Sequence, residues 1–191
     1  MQKFSMKKYL PLFVLLASSV FGRIEVLHFS DSVSLIVDLK DGWRVEAPKG
    51  PRPGFPFTTY SLRPDDQRNA VCLITVYNPS EERAGDMSFL RELLEADSKP
   101  WIDSAPGHKM SQIEELASGH VKGVSAKFVD SKLIGKPVKP RDYKTTTACI
   151  FGIDAVCLTK ATVLCDDFKS KEFKEAMSMV LSLSVSSSQR L

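Results

Sequence analysis

The stretch YKTTTACIFGIDAVCLTKATVLC, residues 143–165, decides how the rest of this 191-residue chain is read. Thr145, Thr146, Thr147, Ile150, Phe151, Val156, Thr159, Thr162 and Val163 are β-branched or aromatic, types that suit a pleated, half-buried surface. Gly152 and Asp154 supply turn chemistry between the two runs, which predicts a β-hairpin around Gly152-Ile153-Asp154 with a helix after it. With a three-residue loop, Phe151 faces Ala155 and Cys149 faces Cys157. A two-residue loop slips the register by one and sends the two cysteines to opposite faces.

Working outward, the segments upstream of the hairpin alternate in the same way. Val33 to Leu39 is an apolar strand, Asp41-Gly42 a turn, and Trp43 to Ala47 a second strand that ends at Pro48. Residues 48–56 carry four prolines and two glycines, so they are expected to form a surface loop. Phe57 to Leu62 and Val71 to Tyr77 read as strands joined across Arg63 to Asn69. A helix follows over Met87 to Asp97, capped by Asp86 and stopped by Pro100. Its pairs Phe89/Leu93 and Leu90/Leu94 form one apolar stripe. Met110 to Leu116 and Val121 to Val129 predict a hairpin around Ser118-Gly119. A closing helix starts near Asp167 or Ser170 and places Phe173, Met177, Val180 and Leu181 on one face. Strands, helix, strands, helix with hairpin connections imply an α+β domain, an antiparallel sheet with helices packed on it.

The first 22 residues have a different character. Lys3, Lys7 and Lys8 precede the apolar run Tyr9 to Val20, and Val20-Phe21-Gly22 offers small residues for cleavage. A dozen apolar residues fall short of the roughly 20 that span a bilayer as a helix. The expectation is a signal peptide over 1–22, an N-terminal linker over 23–32, a single domain over 33–184 and a flexible tail over 185–191. Export places the domain in the periplasm or outside the cell, with no stable membrane span after cleavage. Taking the three leader lysines from the net charge of +3 leaves zero, so there is no basic face to neutralise nucleic-acid phosphates.

An oxidising compartment makes Cys72, Cys149, Cys157 and Cys165 candidate disulfide cysteines. Four cysteines allow three connectivities, and free cysteines also pack as small buried hydrophobes. Their x7 spacings, with no CxxC and no histidine alongside, do not make a metal site.

Catalytic and cofactor motifs are missing. His28, His108 and His120 stand apart, with no HExxH-type spacing. Gly123-Val-Ser125-Ala-Lys127 begins like a nucleophile elbow, but a lysine takes the place of the second glycine inside a strand. Asp65-Asp66, Glu81-Glu82 and Glu114-Glu115 are sequence neighbours whose side chains diverge, whereas acid/base pairs must converge in a shielded cleft. Two features suit binding. Lys132, Lys136, Lys139 and Arg141 form a basic loop that is a candidate docking site for an acidic partner or a membrane surface, and Trp43 after its glycine turn is a candidate groove aromatic.

Asp41-Gly42-Trp43 leading through Val45 to Pro48, the strand Val71 to Tyr77, the helix around Phe89 to Leu94 and the closing helix Phe173 to Leu183 together resemble the PsbP/Mog1/DcrB-like superfamily. The resemblance implies about six antiparallel strands between helices, an α/β/α sandwich. It also implies a non-enzymatic assembly factor or adaptor with a protein partner in the envelope and no cofactor. A thiol-dependent enzyme using Cys149, Cys157 or Cys165, and a carrier of small apolar ligands, are the alternatives.

Overall fold

A computed structural model describes residues 22–30, 33–49, 57–78 and 80–186. The expected leader, most of the proline-rich loop and the end of the tail therefore lie outside the described residues. Among the described residues ten strands form two antiparallel sheets, with three α-helices. The strands are β1 (Arg23–Ser30), β2 (Val33–Leu39), β3 (Trp43–Lys49), β4 (Thr59–Pro64), β5 (Val71–Asn78), β6 (Glu114–Ser118), β7 (Val121–Val129), β8 (Thr145–Ile153), β9 (Cys157–Cys165) and β10 (Ser184–Val185). The helices are α1 (Met87–Asp97), α2 (Lys99–Ser104) and α3 (Lys171–Leu181).

The main sheet has seven strands in the order β3-β4-β5-β9-β8-β7-β6, and a separate sheet has the order β1-β2-β10. The α+β class stands; the six-stranded sandwich does not. The second sheet arises where a linker was expected. Residues 24–29 alternate in burial, and the strand pairs with β2 from Arg23↔Leu39 to Ser30↔Val33, including a bulge. At the other end, Ser184 and Val185 of the expected flexible tail pair with Ile36 and Leu35.

The two faces of the main sheet bury different layers. On one face Tyr60, Leu62, Cys72, Ile74, Cys149, Phe151 and Val163 meet Leu35 and Val37 of the small sheet and Ala176, Met179 and Val180 of α3. Trp43 belongs to this core at 2% exposure, and its indole Nε1 donates to Glu175 Oε2 at 2.9 Å. It is therefore a core residue and not a groove aromatic, because Trp43 and Val45 share the inward face of β3. Arg68 ties the same helix to the β4–β5 turn through Glu172 at 3.2 Å and Glu175 at 3.5 Å. On the opposite face, Leu90 and Leu94 of α1 pack with Val124, Ala126, Ala148 and Ile150 of β7 and β8.

Capping sets the helix limits. Asp86 accepts from Ser88 N and Phe89 N, and Ser170 accepts from Phe173 N, supplying partners for orphan first-turn donors. Pro100 does not simply stop α1. It sits in the first turn of α2, where its missing N–H costs nothing.

The decisive hairpin forms with its turn two residues later than expected. Ile153 pairs with Cys157, Gly152 with Leu158 and Cys149 with Ala161, and the loop is Asp154-Ala155-Val156. Gly152 lies inside β8 because the backbone of Ala84 crosses it. A Cβ there would sit 2.1 Å from Ala84 O. Asp154 and Ala155 carry the left-handed turn conformation instead, at φ 52° and 59°.

This register separates the cysteines. A disulfide needs Cα atoms within about 7 Å and Cβ atoms near 3.8 Å. Cys149 is four residues along from both Cys157 and Cys165, roughly 13 Å at strand rise. Cys72 pairs with Val163, which leaves Cys165 a diagonal neighbour with Cβ about 7–8 Å away and puts Cys149 two strands over. All four are free and buried, so the candidate disulfides do not form.

Candidate functional site

Helices α1 and α2 cover only the β6–β8 half of their face of the main sheet. Among the described residues the outer face of β4, β5 and β9 is left open as a trough of about 1120 Å³. Strand alternation builds its floor. Ser61 pairs with Leu73 and Leu73 with Thr162 to make one row; Thr59, Thr75 and Lys160 make the next. Leu158 and Leu164 lie at either end on β9, and Phe57 and Tyr77 pack at a tilt of 58° at one end with ring centroids 5.2 Å apart. At about 4.8 Å between strands and 6.7 Å per two residues, the floor is roughly 10 Å wide and 20 Å long.

The two long walls differ in chemistry. Phe89, Leu93 and Ala96 of α1, with Trp101 of α2, make an apolar wall. The expected single stripe of α1 is thus two: Leu90 and Leu94 go under the helix into the core, while Phe89 and Leu93 face the trough. Arg83 lies 3.9 Å over the Phe89 ring at the outer end. The β4 side is polar, with Arg63 beside the floor residues Thr59 and Ser61 and, on β3 beyond the trough lining, Arg44 and Glu46. Arg63 Nε donates to Glu46 Oε2 at 2.9 Å and its Nη1 to Tyr143 OH at 3.0 Å; Arg44 Nη2 reaches Glu46 Oε1 at 3.3 Å.

Inside the trough, Lys160 is ion-paired with Asp97, and Tyr77 OH donates to Asp97 Oδ1 at 3.0 Å. Burial, with the Asp97 carboxylate beside it, pushes the Tyr77 phenol above its ordinary value. The three side chains satisfy one another through this hydrogen bond and ion pair. The trio fastens the end of α1 to β5 and β9, and places no nucleophile or free base in the trough.

The residues singled out from sequence do not converge on this site. Lys132, Lys136, Lys139 and Arg141 are all exposed, and their side chains make no ion pair or hydrogen bond with the described residues. Their loop is held by its backbone: Arg141 N donates to Asn69 Oδ1 at 3.1 Å, and Asn69 Nδ2 to Asp142 O at 2.6 Å. Burial pushes the four thiols up, Cys149 to about 12, so they stay protonated and poorly nucleophilic near neutral pH. His28 binds Ser34 Oγ at 2.8 Å and His120 binds Asp154 Oδ1 at 2.7 Å, both at exposed positions. Ser125 is buried within β7, and Gly123 before it is needed for contact with β8, since a Cβ there would meet Ile150 O at 2.3 Å.

The adjacent acids have separate partners. Glu114 pairs with Lys127 and Glu115 with Arg91, on opposite faces of β6. Arg68 binds Asp66 at 2.7 Å and holds its carboxyl below the usual range. Among the described residues no group of His, Cys, Asp and Glu could hold a metal ion, and no helix is long and apolar enough to cross a membrane.

The trough itself was within reach of the sequence. Its signal is the outward set of three strands, with Leu73, Leu158 and Leu164 where fully solvated positions would be polar. Comparison with protein-family models, with curated proteins and with solved structures finds no match for this chain.

Proposed function

We propose that this chain is a non-enzymatic binding module of the cell envelope, exported by its N-terminal segment, and that it holds its partner in the trough on β4, β5 and β9. The observation that carries this reading is the half-covered sheet. One side of a large antiparallel sheet is left open beside a helix whose second apolar stripe, Phe89 and Leu93, faces the gap. A concave surface with an apolar wall and a few fixed polar groups is a common form of binding site. The buried, protonated thiols and the mutually satisfied Tyr77–Asp97–Lys160 trio favour binding over catalysis. The resemblance to PsbP/Mog1/DcrB-like adaptors points the same way, with the trough taking the docking role first given to the basic loop.

A photo-crosslinking residue at Leu73, on the trough floor, tests this against the same residue at Lys136 in the basic loop. Both proteins are expressed in the native envelope and irradiated. A discrete adduct from position 73 and none from 136 is the expected result. An adduct from 136 alone returns the role to the loop, and none from either overturns the binding reading.

A further inference from the structure

We infer that β1 is a dimerisation edge: two copies of the chain pair their β1 strands antiparallel about a twofold axis at Glu25, joining their small sheets into one. The inference stands apart from the trough, which opens on the face of the main sheet opposite the small sheet.

The hydrogen bonds of β2 settle which way β1 turns its backbone. Ser34 O accepts from Ser186 N at 2.9 Å, and Asp38 N donates to Ser182 Oγ at 3.0 Å, so Ser34, Ile36 and Asp38 direct their backbone groups toward β10 and the chain before it. Successive residues of a strand bond to alternate sides. The ladder to β1 is therefore carried by Leu35, Val37 and Leu39, opposite Leu27, Glu25 and Arg23. This leaves the N–H and C=O groups of Ile24, Val26 and His28 directed away from β2. Tyr60 OH donates to His28 O at 2.6 Å, which agrees with that direction and takes that acceptor. Among the described residues no hydrogen bond takes the backbone groups of Ile24 or Val26.

The side chains of the same two residues stand in solvent. Ile24 is 73% exposed and Val26 44%, both on the outer face of the small sheet, where Val26 is the cross-strand neighbour of the partly buried Ile36. The other described sheet edges are blunted in ways that keep strands from pairing. β3 carries Pro48 and a register shift between Glu46 and Lys49, β6 carries Glu114 and Glu115, and β10 is two residues long. β1 is regular from Arg23 to His28, its bulge lying beyond, and holds neither proline nor lysine. Its charges, Arg23 and Glu25, are paired with each other at 2.6 Å.

An open edge takes a strand, and the residues on this edge match a second copy of themselves. With the axis at Glu25, Ile24 of one copy faces Val26 of the other and the reverse. The open N–H and C=O groups of both residues are then satisfied in each copy, and the aliphatic side chains meet as favourable cross-strand pairs. Moving the axis by one residue breaks the match. An axis at Val26 sets Ile24 against His28, whose carbonyl already accepts from Tyr60 and whose ring binds Ser34. An axis at Ile24 sets Val26 against Gly22, which has no side chain to cover it. The pairing is isologous, the form that closes at two copies.

The test is sedimentation velocity and disulfide cross-linking of the chain purified from its envelope fraction. The contact is smaller than a standard interface, so the dimer should dissociate in the micromolar range, within a series of about 1–500 µM. Val26→Pro deletes an N–H that pairs across the axis and takes no part in the ladder to β2, the place where an edge strand tolerates proline. It should weaken dimerisation tenfold or more. Val26→Lys, which keeps the backbone and guards the edge with a charge, should do the same and serves if the proline variant melts early. Leu73→Lys, in the trough, should leave the dimer unchanged.

Cross-linking locates the axis. In Glu25→Cys the new thiol stands opposite its own copy with Cα atoms about 4.5 Å apart, inside disulfide range, whereas in Ile24→Cys it faces position 26. The native thiols are buried and do not compete. Under mild oxidation Glu25→Cys should cross-link about tenfold faster or more, although Ile24 is the more exposed position and random collision would favour it. A monomer at every concentration, a dimer indifferent to both Val26 variants, a dimer lost in Leu73→Lys, or faster cross-linking of Ile24→Cys would each overturn the inference.

Discussion

Replacing Trp43 with phenylalanine separates a core tryptophan from one that lines a groove. The substitution deletes the bond from Nε1 to Glu175, a hydrogen bond to a charged acceptor of the kind worth about 1.5–3 kcal/mol. Glu175 keeps Arg68 at 3.5 Å and Lys171 at 3.4 Å, which places the loss at the low end of that range. Removing the second ring takes roughly 40 Å² of apolar surface out of the core, about 1 kcal/mol. The void it leaves, roughly 40 Å³ at about 24 cal/mol per Å³, adds about 1 kcal/mol more. The expected total is about 3.5 kcal/mol, a large share of the 5–15 kcal/mol typical of a domain. Urea unfolding followed by far-ultraviolet circular dichroism measures it, with an unchanged slope showing that the native state is otherwise intact. Trp101→Phe is the matched control. That ring stands half-buried on the trough wall, so it should cost less than about 1 kcal/mol. A Trp43→Phe change within about 0.5 kcal/mol of the parent, the range of surface substitutions, would refute the core assignment and the α3 anchor argued from it.

Stability should fall as pH rises above about 8.5, where the thiols of the unfolded chain begin to ionise while the buried ones stay protonated. The unfolded state then binds fewer protons, so the contribution is complete below that pH. It is lost by up to about 1.4 kcal/mol per pH unit per thiol until the folded value is passed, about 12 for Cys149. Tyr77 adds the same sense from about pH 10. Urea titrations between pH 7 and 10.5 check this, and Cys149→Ala should flatten the slope; a level curve in the parent would contradict the buried-thiol assignment. Gly152→Ala should destabilise by about 1–3 kcal/mol, the usual cost of overpacking, because its Cβ meets the Ala84 backbone. Proton chemical shifts of α1 should move with it; a neutral melt would mean the 80–86 turn does not rest on β8. Ala155→Gly should stabilise by about 0.5–1 kcal/mol, since release of left-handed strain exceeds the entropy added to the unfolded chain. A lower melting temperature would contradict that turn geometry.

The elements with a regular period were legible in the sequence. Val33–Leu39, the α1 limits with Asp86 as cap, and the β8 and β9 runs all follow from alternation, capping and β-branched composition. What escaped the sequence depends on contacts between distant segments. Gly152 reads locally as a turn residue, but its small size is used for the approach of Ala84, 68 positions earlier, and the turn moves to Asp154-Ala155. Residues 23–30 look like a linker because Arg23, Glu25 and His28 break the apolar run; pairing with β2 makes them a strand. The trough is half legible. Its apolar wall was visible as Phe89 and Leu93, but only the placement of α1 over β7 and β8 shows that this stripe faces open space and not the sheet.

The junction of β5 with β9 constrains the order in which the polypeptide can be assembled. Strands β3 to β5 and β6 to β9 are each meanders of neighbouring hairpins, which close quickly because little loop entropy is lost. They meet only where Val71 pairs with Leu164 and Thr75 with Lys160, across some ninety residues of intervening chain. β2 likewise receives β10 from the far end of the domain. Contacts of such high sequence separation slow folding. A chain emerging from the ribosome, or truncated before Cys157, therefore carries β5 as an open edge, a template for pairing with other chains. In the finished protein β9 seals that edge and the trough lies directly over the seal, so the same strand pair that completes the sheet also completes the floor of the trough.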